Sequence, residues 1–160
     1  MQNRIGISSG QMVTGNMGSE ARMNYTMMGD NVNTAARLES SAKQYGIYIQ
    51  IADSTYQAVK EKVVVRDLDN VRVLGKNEPV KVWELISEVG QEPDQYKKIL
   101  PAYHEALDLY KNQEWSKAIE AFKASDEQEE MFGGRKTNPS RIYIPRCEHY
   151  LENQIGRAHV

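Results

Sequence analysis

Asn33 and Arg37 stand four residues apart in the run Val32-Asn33-Thr34-Ala35-Ala36-Arg37, a spacing that puts two side chains on one face of a helix, one turn apart. Arg37 carries a permanently protonated, forked donor set, suited to negative charge developing on phosphoryl oxygens. Asn33 adds a carboxamide beside it. Taken alone, an exposed Asn and Arg at this spacing describe an ordinary solvated helix surface, so the surrounding sequence has to decide. Upstream, Thr26 in Tyr25-Thr26-Met27-Met28 has a hydroxyl able to accept from an amino group or donate to a carbonyl; it also simply suits a strand. The carboxylates and imidazoles form no comparable set. Asp30 and Asp53 read as helix caps, Asp67 and Asp69 as turn residues, and His104, His149 and His159 lack ligand spacing with Cys147 or a carboxylate.

The elements that must position these groups follow from periodicity. Residues 4–8 and 11–17 alternate in polarity about Ser9-Gly10, which predicts a tight hairpin. Tyr25 to Met28 is a short strand stopped by Gly29. A helix then runs from a cap at Asp30 or Asn31 to about Tyr45, ended by Gly46. Its expected core stripe is Val32, Ala35, Ala36, Leu38, Ala42 and Tyr45, with Asn33 and Arg37 on the other side. A strand over Ile47 to Ile51, a short helix from Asp53 to about Glu61 and a strand beginning at Val63 follow. Val71 to Leu74 and Val80 to Ile86 bracket a second hairpin about Gly75-Lys76-Asn77-Glu78-Pro79. Strands alternating with helices predict an α+β domain with a mixed sheet over residues 1–88.

Residues 89–94, rich in Gly, Pro and polar side chains, read as a linker. Beyond it, over 95–154, the pattern is helical: Tyr96, Ile99, Leu100, Tyr103, Leu107 and Tyr110 keep one face, as do Trp115, Ala118, Ile119 and Phe122 after a turn at Lys111 to Glu114. This is a helical hairpin, with Ala118 and Phe122 at the spacing of a tetratricopeptide second helix. A short third helix is expected near Pro139-Ser140, bearing Arg141, Arg146 and Cys147. The chain opens directly on a strand, as if a preceding neighbour were missing. Residues 155–160 are what a string resembling a sequencing adapter would encode and read as a non-native scar, the bland alternative being a natural flexible terminus.

Composition narrows the class. Hydrophobic residues make 40% and charged residues 26% of the 160, with a net charge of −2, which fits a folded protein and argues against nucleic-acid binding. One cysteine provides no disulfide framework and suits a cytoplasmic setting. No stretch is long and apolar enough for a membrane helix.

The stretch Tyr25 to Glu39, together with Gly6-Ile7-Ser8-Ser9-Gly10 and the Gly15 to Gly18 turn, resembles the class III adenylyl and guanylyl cyclases, and the likeness extends from about Arg4 to Ile86. It implies the C-terminal part of a ferredoxin-like cyclase domain. In that family Asn33 would hold the ribose for in-line attack and Arg37 would stabilise the transferring phosphoryl group. Thr26 falls at the purine-selecting position, where Asp or Thr accompanies ATP and Cys accompanies GTP, and Met27 would meet the purine through its backbone or simply fill a core. Leu74 occupies the place of a triphosphate-binding lysine; Lys76, two residues on, either substitutes or is a solvated turn lysine. The family's two metal-binding aspartates and its adenine-reading lysine would lie upstream. The resemblance therefore implies a homodimeric enzyme converting ATP to cyclic AMP and pyrophosphate with two Mg²⁺ or Mn²⁺ ions, one protomer's aspartates acting with the partner's Asn and Arg, and a chain inactive in isolation. Two other readings stay open: a non-catalytic nucleotide-sensing or dimerisation module, and a helical scaffold making protein contacts through residues 94–152.

Overall fold

The computed structural model describes residues 3–158 and divides into two compact units, one formed by the chain up to Lys43 with Tyr48–Val89, the other by Gln44–Ile47 with the chain from Gly90 onward. The first unit is a mixed α+β structure. Its strands are β1 (Ile5–Ile7), β2 (Val13–Ser19), β3 (Arg22–Met28), β4 (Ile49–Ala52), β5 (Val63–Val71) and β6 (Val80–Glu88), and its helices are α1 (Asp30–Tyr45) and α2 (Asp53–Val59). Four strands form one sheet in the order β1-β4-β6-β5, with β1 parallel to β4 and the other pairs antiparallel.

The expected hairpin across Ser9-Gly10 does not form. Instead β1 pairs with β4, Ile5 opposite Ile49, while β2 pairs with β3 as a separate two-stranded ribbon, Val13 opposite Met28. Alternating polarity specifies a face but not a partner, and β1 finds its partner more than forty residues away. Its Gly6 is what allows the approach of α1: a Cβ there would lie 2.2 Å from the Ala35 carbonyl oxygen and 2.4 Å from the Glu39 nitrogen, both backbone atoms that cannot yield locally.

α1 spans the expected residues, but its buried stripe is rotated. Thr34, Leu38, Ser41 and Ala42 face inward, whereas Ala36 is exposed. Thr34 tolerates burial because its hydroxyl donates to the Asp30 carbonyl at 2.8 Å, and Ser41 donates to the buried Gln50 side chain at 3.1 Å. Gln50 faces Glu84, which faces Arg66, so a polar row crosses β4, β6 and β5 inside the unit. Arg66 Nε lies 3.0 Å from Glu84 Oε2, both side chains being essentially inaccessible.

Three aspartate expectations also change. Asp67 and Asp69 lie within β5, not in a turn, on either side of a register shift that leaves Leu68 as the extra residue of a bulge. Asp67 is ion-paired with Lys81. Asp53 begins α2 but caps nothing with its side chain: its carboxylate accepts from the Trp83 indole N–H at 3.0 Å and from Gln57 at 3.3 Å. Trp83 lies 4.1 Å from the Tyr56 ring, with the Lys81 ammonium 5.0 Å from its centre.

The second unit contains α3 (Asp94–Lys111), α4 (Trp115–Glu130) and α5 (Pro139–Ala158). α5 is a 20-residue helix, longer than expected, and it runs through most of the segment set aside as a scar; His159 and Val160 lie outside the described residues. The core gathers Tyr103, Leu107, Ala118, Phe122, Tyr143 and Cys147, with Phe122 and Tyr143 stacked at 5.1 Å. Trp115 stacks on Tyr150 at 4.7 Å and meets Tyr110 edge-on. Arg141 binds Asp126 at 2.9 Å and also pairs with Glu130, and the Arg146 guanidinium lies over Tyr143. Among the described residues no helix is long and apolar enough to cross a membrane.

Burial, reinforced by the charge of Glu148, pushes the Cys147 thiol from 9.0 up to about 11. The unfolded thiol ionises first, so stability is expected to fall as pH rises from about 9 to about 11. At pH 8 the folded thiolate amounts to roughly one part in a thousand. Iodoacetamide labelling at that pH is thus expected to be slow in native buffer and fast in urea; equal rates would contradict the burial.

Candidate functional site

Backbone and side-chain hydrogen bonds fix the N-terminus of α1. Asn33 N–H donates to the Gly29 carbonyl at 3.1 Å, opening the helix directly after β3. Asn31 reaches across to the segment after β1, its amide donating to the Gln11 carbonyl at 2.8 Å and its oxygen accepting from Ser8 at 3.3 Å. A Cβ on Gly10 would lie 2.2 Å from that amide nitrogen. With Gly6 seated against the middle of α1, the helix is held at two levels, and the orientation of its exposed face is set by these contacts.

That exposed face carries Asn33, Ala36 and Arg37, which line a cavity of about 810 Å³ together with Arg72, Val73, Leu74, Gly75 and Lys76. The second wall is the segment after β5. β5 ends at Val71, earlier than expected, and Val73 to Lys76 form a turn in which Lys76 N–H donates to the Val73 carbonyl at 3.2 Å. Gly75 takes φ +86°, the left-handed third position that a type II turn requires. Leu74 and Lys76 are therefore turn residues and not strand residues, yet both line the cavity.

The lining is cationic, with the Asp30 carboxylate close by, 3.8 Å from the place a Cβ on Gly75 would take. Arg37, Arg72 and Lys76 bring three positive charges to the cavity, and none of its lining residues is acidic. Among the described residues none of the three side chains has an ion-pair or hydrogen-bond partner, in contrast to Lys81, Arg66 and Arg141. A concave surface lined by one sign of charge focuses its field on an anion. Three cations and a carboxamide are donors to phosphate-like oxygens and a poor set for a metal ion. Among the described residues no group of three or more His, Cys, Asp or Glu side chains could hold one.

Of the residues singled out in the sequence, Asn33, Arg37 and Lys76 share this cavity. Thr26 and Met27 do not line it. They lie on β3 in the exposed ribbon, opposite Gly15 and Thr14, and lead into α1 through Gly29. Arg72 is the cavity residue that sequence reasoning passed over. The available signal was alternation: Val71 and Val73 are buried, so Arg72 shares a side with Leu74.

Comparison with known proteins gives a consistent set of relatives. Residues 1–87 match the family model described as adenylate and guanylate cyclase catalytic domain. A terminal-differentiation-specific adenylate cyclase of Dictyostelium discoideum is 35% identical over 151 residues, covering 92% of this chain and 7% of that protein. Adenylate cyclase 1 of Rhizobium meliloti is 33% identical over 88 residues, 55% of this chain and 13% of that protein. Among solved structures, the adenylyl cyclase CyaB from P. aeruginosa matches 56% of this chain and 45% of its own at 33% identity, with a TM-score of 0.48. The chain thus spans a small part of the length of these curated relatives. The Dictyostelium match is longer than the first unit and must extend into the helical one.

Proposed function

This chain belongs to the adenylate and guanylate cyclase catalytic domain family, and on that premise we propose that the whole protein is an adenylate cyclase, making 3′,5′-cyclic AMP and pyrophosphate from ATP. The observation that carries the reading is the cavity in which Asn33 and Arg37 stand opposite Lys76, with no acid among its lining residues. In the reaction the ribose 3′-oxygen loses its proton and attacks the α-phosphorus, and the bond to the bridging oxygen of pyrophosphate breaks. Charge gathers on the phosphoryl oxygens. Asn33 would hold the ribose in line, Arg37 would donate its fork to the α-phosphoryl oxygens, and Lys76 would draw the β- and γ-phosphates.

Thr26 would read the adenine amino group, with the Met27 backbone beside it. Support comes from the ribbon leading straight into α1 and from the relatives named adenylate cyclase. The two Mg²⁺ or Mn²⁺ ions of the proposal would be held by aspartates outside this cavity, whose cations and carboxamide do not fit a metal. Homodimerisation would bring those aspartates to Asn33 and Arg37 of the other protomer. The ribbon offers an apolar surface for it, with Val13, Met23, Tyr25, Met27 and Met28 all exposed. The helices of the second unit would serve as a tetratricopeptide-like surface for protein contact.

Leu74, 94% exposed where a lysine is expected, favours a second reading, a module that binds nucleotide without turning it over. The whole protein supplied with Mn²⁺ and either ATP or GTP decides. Cyclic AMP formation exceeding cyclic GTP formation is the expected result. Tight ATP binding with no cyclic product would transfer the case to the sensing module.

A further inference from the structure

We infer that Arg72 supplies the cationic grip on the terminal phosphates that Leu74 cannot provide. Leu74 sits at the cavity with its side chain almost wholly in solvent and offers no charge. Burial alternates along this segment, Val71 and Val73 inward, so Arg72 and Leu74 are directed to one side. Both line the cavity that Arg37 and Asn33 line from α1. The Arg72 guanidinium has no partner among the described residues, and its planar fork can take two oxygens of one phosphate at once. Lys76 lies beyond the Gly75 turn in the same wall. The wall therefore presents two cations flanking the apolar position, and a polyanion longer than a monophosphate is the ligand that engages both of them at once.

This inference rests on the cyclase reading of the cavity and assigns a residue to the phosphate tail within it. The test uses the full chain, inorganic tripolyphosphate and AMP as calorimetric probes, and constant salt of about 0.15 M, because unpaired surface charges are salt-sensitive. Arg72→Ala is expected to weaken tripolyphosphate binding at least about tenfold, the scale of a lost charge-assisted hydrogen bond, and to leave AMP binding unchanged. Leu74→Lys added to Arg72→Ala is expected to restore most of the loss. Lys60→Ala, which removes an exposed cation outside the cavity, is expected to change neither. Arg72 is exposed and outside any regular element, so its removal does not threaten folding. Unchanged tripolyphosphate binding in Arg72→Ala, alongside a loss in Lys76→Ala, would overturn the assignment of Arg72 and leave the cyclase reading standing. A loss in Lys60→Ala equal to that in Arg72→Ala would overturn it as mere charge screening. A wild-type chain that binds no tripolyphosphate would sink both.

Discussion

Replacing Arg37 with alanine in the whole enzyme is expected to lower the rate of cyclic AMP formation about a hundredfold or more, the usual consequence of removing a donor that acts in the transition state. The geometry makes the result specific. Arg37 is exposed on α1, lines the cavity with Asn33, and has no partner among the described residues, so nothing in the fold depends on it and the melting temperature should stay where it is. The loss should fall on kcat and kcat/KM together, with KM little changed, because the interaction is made with charge that develops during the reaction. Arg37→Lys should recover little, since a single ammonium cannot reproduce the fork. Turnover near that of the unaltered enzyme would remove Arg37 from the mechanism.

The second large effect concerns stability. Glu84→Ala is expected to cost about 3–5 kcal/mol, because it leaves the Arg66 guanidinium buried with its counter-charge gone. Both groups are inaccessible to water, 3.0 Å apart on neighbouring strands. Against a typical stability of about 5–15 kcal/mol, such a loss should shift the urea midpoint of the first unit strongly. The paired replacement Arg66→Met with Glu84→Leu removes both charges and keeps apolar volume, so it is expected to be neutral or stabilising. A cost for Glu84→Ala of only about 1 kcal/mol, the scale of a solvated pair, would mean that water reaches the site.

These two effects were unequally legible in the sequence. Asn33 and Arg37 could be placed because one periodic run, bounded by Gly29 and Gly46, fixed a helix and hence a face. α3 and α4 were legible for the same reason, the turn at Lys111 to Glu114 separating two clean stripes. The polar row was not, because Gln50, Arg66 and Glu84 become neighbours only through pairing of strands far apart in sequence. Charged residues in a strand read as its solvent face until a second polar layer is known to meet them. The same reason explains β1, whose partner is β4 and not the adjacent run, and Asp53, whose carboxylate serves Trp83 instead of the helix it begins. At the cavity, alternation puts Arg72 and Leu74 on one side, but only the packing of that segment against α1 makes Arg72 part of the site.

The chain holds two tryptophans, Trp83 against Asp53 and Tyr56 in the first unit and Trp115 against Tyr150 in the second. Each unit thus carries its own intrinsic fluorophore in a different chemical setting, one hydrogen-bonded to a carboxylate and one sandwiched by a phenol. With Trp83→Phe or Trp115→Phe the emission of the remaining indole follows a single unit, so the melting of the cyclase portion and of the helices can be watched separately in one polypeptide without any attached dye.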